Sequence, residues 1–143
     1  MKQFERIYDN LDLIIFRADY IEGESVEVVV SLNDYYYLIQ YMDKKGLVEN
    51  SVDYTPIRIS KAKKFREFLK EIKLLEWPTI KIGDEGYYDA PLIFSYGYDE
   101  EAEEGIDEAV TFDAVPSETM RRIHKELENL IGTIFGSYRF YDD

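Results

Sequence analysis

The chain has 143 residues, 45% of them hydrophobic and 15% aromatic, and a formal charge of −13. That length and composition fit one domain with a sizeable core and exclude a disordered chain. The absence of cysteine excludes disulfides, thiolate nucleophiles and zinc–sulfur centres, and the acidic balance disfavours direct binding to nucleic acid or anionic lipid.

The opening MKQFERIYDN is charged throughout, unlike a secretory leader. No apolar run approaches the ~20 residues of a membrane helix, so a soluble cytoplasmic protein is expected. Phe4, Ile7, Tyr8 and Leu11 stand at helical spacing and predict a short opening helix. From Asp12 the period changes to two. Ile14, Phe16, Ala18 and Tyr20 share one face, with Arg17 and Asp19 on the other. After an EGES turn, Val26, Val28, Val30 and Leu32 alternate with Glu27 and Ser31, which predicts a β-hairpin.

The next stretch, NDYYYLIQYMDKKG, carries conflicting signals. Its tyrosines favour a strand. Against that, Tyr35, Leu38, Ile39 and Met42 have i, i+3, i+4, i+7 spacing. Asn33 or Asp34 can cap a helix start, Lys44 and Lys45 suit its C-terminal dipole, and Gly46 can stop it. The spacing and caps predict a helix over 35–45. A polar loop then leads to a short extended piece at 57–59. Ser60 is expected to cap a helix that buries Phe65, Phe68, Leu69 and Ile72. Its other side holds Lys61, Lys63, Lys64, Arg66, Lys70 and Lys73.

Pro78 closes this region, and Gly83 and Gly86 punctuate a turn. A second hairpin is predicted from 92–98 and 109–115. Its connection, DEEAEEGIDE, holds seven carboxylates in ten residues and is longer than most hairpin loops. Ser117 is expected to cap a last helix that turns Met120, Ile123, Leu127, Leu130 and Ile131 inward and ends at Gly132. The tail TIFGSYRFYDD is apolar enough to dock as an edge strand. The predicted architecture is a single α+β domain over 1–143: an antiparallel sheet of two hairpins plus a candidate edge strand, with three to four helices packed on it.

Catalytic signatures are scarce. The chain lacks GxxxxGK[ST], GxGxxG and GxSxG. His124, the only histidine, lies beside the apolar stripe of the last helix and reads as a partly buried or surface helix residue. An EF-hand loop starting at Asp99 needs Gly sixth and Glu twelfth, where this chain has Glu104 and Val110. A looser carboxylate site stays open, and paired carboxylates carry little information in so acidic a chain. No catalytic residue, metal or cofactor is expected.

The acidic connection stands apart, because seven like charges repel one another with nothing local to offset them. It reads either as a solvated loop or as a docking surface for a basic protein. In the docking reading Asp99, Glu100, Glu101, Glu103, Glu104, Asp107 and Glu108 steer the encounter. Nearby Tyr88, Tyr96 and Tyr98, with Tyr87, are placed to supply aromatic anchors. The lysine-rich helix reads as a solvated face, an internal counterweight or an anionic contact. VEVVVSLNDYYYLIQYM and DAPLIFSYGYDEE, in a small, acidic, catalytically bare α+β chain, resemble the bacterial immunity proteins that neutralise polymorphic toxins. The resemblance implies a cognate toxin, often a basic nuclease, inhibited at its active site or substrate surface. The alternative function is a small Asp/Glu-dependent hydrolase or metal-binding enzyme, and a third is a purely structural contact protein.

Overall fold

The period-two stretches of the N-terminal half pair as read. A computed structural model of the chain describes residues 7–19, 25–43, 45, 48–81, 91–99, 104–110 and 116–132. Strand β1 (Leu13–Asp19) runs antiparallel to β2 (Ser25–Ser31), with Phe16 opposite Val28 and Ile14 opposite Val30. Ile14, Phe16, Val26, Val28 and Val30 are all buried on one face. Burial at about 25 cal/mol per Å² of apolar surface favours the register that puts all five inward, since a one-residue slip of either strand would turn its own set outward.

The helix expected over 35–45 is instead strand β3 (Tyr36–Met42), paired on one side with β2 and on the other with β4 (Val48–Pro56). Tyr37 and Ile39 go into the core, and Tyr36, Leu38 and Gln40 to the opposite face. Two ladders satisfy the β3 backbone, and they outweigh local helical spacing in residues that also have strand propensity. The polar residues that resembled a helix cap serve a turn: the Asp34 amide donates to Ser31 Oγ at 3.0 Å, and Tyr35 takes a left-handed φ of 59°. The segment expected as a polar loop is β4, an edge strand. Polar side chains, register irregularities and the terminal Pro56 suit an edge and discourage further pairing.

Helix α1 (Ile59–Glu71) buries Ala62, Phe65, Phe68 and Leu69. It begins before Ser60: Arg58 is the N-cap and makes no side-chain capping bond. After α1 the chain turns through Lys73, whose φ is 58°, into a 3-10 turn (Leu74–Glu76). A left-handed lysine costs about 1–2 kcal/mol, and Lys73 is exposed. Lys73→Gly is therefore expected to stabilise by about 0.5–1 kcal/mol and to raise Tm by about 2–4 °C in a melt followed by circular dichroism. A lower Tm would show that the lysine side chain contributes more than its backbone costs.

Strands β5 (Ile80–Lys81), β6 (Leu92–Asp99) and β7 (Glu104–Val110) complete one sheet in the order β4-β3-β2-β1-β6-β7-β5, with every recorded pairing antiparallel. Helix α2 (Ser117–Ile131) turns Met120, Ile123, Leu127 and Leu130 inward. Its N-cap is Pro116 rather than Ser117, and Gly132 ends it at φ 74°, a conformation in which a side chain would be strained. Both helices share one core with Phe16, Phe94, Val26, Val28 and Val30, and so cover the same face of the sheet. The architecture is thus α+β with an antiparallel sheet. Among the described residues it has two α-helices, not three to four, and the expected opening helix is a 3-10 turn (Tyr8–Asn10). The expected edge strand in the tail lies outside the described residues. Among the described residues, no helix is long and apolar enough to cross a membrane.

Candidate functional site

The second hairpin exists, but its strands reach into the acidic stretch. Strand β7 starts at Glu104, not at 109, and the last recorded pairs are Tyr98 with Gly105 and Asp99 with Glu104. The connection shrinks from ten residues to the four at 100–103, a common hairpin length. Pairing uses backbone groups alone, so acidic side chains do not prevent it. Charge alone places all seven acids in a loop, because backbone pairing leaves no trace in the local pattern.

That change divides the candidate residues. Asp99 and Glu104 close the ladder, and Glu100, Glu101 and Glu103 lie in the connection, outside the described residues. Asp107 pairs with Ser95 in the body of the hairpin. Tyr98 stands opposite Gly105, and Tyr87 and Tyr88 lie outside the described residues. Tyr96 and Glu108 need correction as contact residues. They are 2% and 3% exposed, on the face that the helices cover.

Glu108 instead anchors a buried polar group. It stands opposite Phe94 in the ladder, and its carboxylate accepts hydrogen bonds from Tyr96 Oη and Thr79 Oγ1. Burying a carboxylate is costly unless it is hydrogen-bonded, and these two hydroxyls come from separate parts of the chain. Tyr96 also packs edge-on against Phe94, with centroids 5.9 Å apart. The arrangement ties the segment before β5 to the β6–β7 hairpin.

His124 is 1% exposed, deeper than the sequence reading placed it. Its ring centroid is 5.3 Å from that of Phe16, and its Nε2 lies 3.6 Å from Glu128 Oε2 one turn along α2. The six bases near α1 also separate by role. Lys63, Lys64, Lys70 and Lys73 are exposed. Lys61 Nζ donates to the Asn129 carbonyl at 3.0 Å and links the two helices. Arg66 donates to the Tyr8 and Leu11 carbonyls at 2.5 and 2.8 Å and to Asn33 Oδ1 at 3.1 Å, holding the N-terminal turn and the β2–β3 turn to α1. That tethering was invisible in a pattern that only distinguished buried from solvated faces. Among the described residues, no three acidic or histidine side chains cluster as a metal site would.

No protein-family model, curated protein or solved structure matches this chain.

Proposed function

We propose that this chain is an acidic protein-binding inhibitor, an immunity protein that neutralises a basic toxin, with a nuclease the favoured kind. It would act by blocking the toxin's active site or substrate surface, and not as an enzyme. The supporting observation is the concentration of charge at one hairpin end. Asp99 and Glu104 form the last pair, and the four residues between them include Glu100, Glu101 and Glu103. The proposal takes these five carboxylates, adjacent in the chain, as a mimic of the phosphates that a nuclease would otherwise meet. Such a field raises association rates and penalises wrong partners. The stylistic likeness to immunity proteins points to the same kind of partner.

Affinity capture from the native cell identifies the partner, and its association kinetics then test the hairpin. Changing Glu100, Glu101, Glu103 and Glu104 together to glutamine, which keeps the size and polarity of each side chain, should leave the fold intact, as an unchanged circular-dichroism melt would check. The association rate at low salt should fall about tenfold or more, with a smaller change in dissociation. A quadruple variant with wild-type association rate and wild-type salt dependence would reduce the hairpin end to a solvated connection.

A further inference from the structure

At the β4 edge of the sheet, away from the acidic hairpin, exposed Tyr54 stands against half-buried Tyr36 of β3. Between β3 and β4 the register steps from Tyr37 opposite Thr55 to Ile39 opposite Val52. Leu38 is therefore spanned by two residues of β4, Asp53 and Tyr54, in a bulge. Bulges re-aim side chains, and Tyr54 is 68% exposed with its ring set edge-on to Tyr36 at 4.8 Å. A ring this exposed offers apolar area and a π face to a partner.

Two acidic residues, Asp12 and Asp34, are tied to Ser31, which stands opposite Tyr36. Ser31 is the register partner of Tyr36, and its hydroxyl donates to Asp12 Oδ1 at 3.0 Å while accepting from the Asp34 amide. Asp12 is thus held in orientation, and Asp34 is exposed on the turn. Burial, then Tyr54, Asp12 and Asp34, push the Tyr36 phenol above its ordinary pKa, consistent with all four groups sharing one local field. Two rings with adjacent carboxylates are complementary to a planar cation. A guanidinium can stack on a tyrosine face while its N–H groups reach a carboxylate, which a hydrated ammonium does less well.

We infer that Tyr36 and Tyr54, with Asp12 and Asp34, form a seat for an arginine side chain of a basic protein partner, separate from the acidic hairpin. This rests on the reading that the partner is basic, and adds a second contact with its own chemistry. Steering by the hairpin would set the encounter rate, and the seat would prolong the bound state.

The test uses the peptide Ac-Gly-Arg-Gly-Arg-Gly-amide, added to isotope-labelled full-length protein in about 0.15 M sodium chloride and followed by amide NMR shifts. The expected shifts centre on Asp34, Tyr36 and Tyr54. Tyr54→Ala should weaken the apparent affinity about fivefold, Tyr54→Phe should largely preserve it, and a citrulline peptide should give no response. Equal binding by Tyr54→Ala, equal response to citrulline, or shifts confined to the acidic hairpin each overturn the seat. The quadruple glutamine variant separates the two proposals: the seat requires it to keep the shifts at Tyr36 and Tyr54. Loss of partner steering in that variant, beside an unaffected Tyr54→Ala titration, would retain the hairpin and remove the seat.

Discussion

Phe16→Ala is expected to cost about 3–5 kcal/mol, a large part of the 5–15 kcal/mol that holds a typical domain together. Phe16 is fully buried in β1, the strand that joins the β1–β4 run to the β6–β7 hairpin, and it meets His124 of α2. Its removal leaves a cavity where sheet and helix layers join, and the rigid ladder on both sides of β1 limits collapse into the space. Urea unfolding should show a lower midpoint at unchanged slope. Ile15→Ala, one position along but on the face away from the helices, should cost clearly less. If Phe16→Ala does not fold, Phe16→Leu should still show a loss of about 1 kcal/mol. Equal costs at positions 15 and 16 would contradict a helix layer on the Phe16 side.

The second large effect concerns Glu108. Glu108→Ala removes the acceptor for two hydroxyls, Tyr96 Oη and Thr79 Oγ1, and should cost about 3 kcal/mol. Glu108→Gln retains one acceptor oxygen, and the hydroxyls can rotate to accept from its NH₂ group, so about 1 kcal/mol is expected. Tyr96→Phe leaves the Glu108 carboxylate with one donor fewer and should cost about 1–3 kcal/mol. Because the two side chains share one bond, the Glu108→Ala and Tyr96→Phe effects should fall short of additivity by about 1 kcal/mol or more. Additive losses would mean that the two do not interact. Neither substitution should change the partner's association rate, since both side chains are buried. A slowed association in Glu108→Gln, with stability unchanged, would return Glu108 to the contact surface.

Glu108 also shows where sequence reading stops. Its neighbours in the chain are acidic, and acidity alone assigned it to the loop. What admits a carboxylate to the core is a pair of hydroxyls, from Tyr96 and Thr79, which are 12 and 29 residues away. No local pattern reports partners at that distance. The Tyr36–Tyr54 pair was hidden for a related reason, because 46–56 read as a polar loop and β4 becomes a strand only through its pairing with β3.

The amino-acid sequence by itself determined the α+β class, the first hairpin with its inward faces, the buried stripes of α1 and α2, and the excess of charge near residue 100. Each is a local property: a period of 2 or 3.6 in apolar residues, or a run of one charge, both expressed within a few residues of chain. Tertiary structure alone decided that 36–42 is a strand, because β2 and β4 supply two ladders that local helical spacing cannot match. It also decided that the acidic run divides, with Asp99 and Glu104 at the hairpin end and Glu108 in the core. Backbone pairing between β6 and β7 sets that division, and strand alternation then turns every second side chain inward, whatever its charge, wherever distant donors can satisfy it.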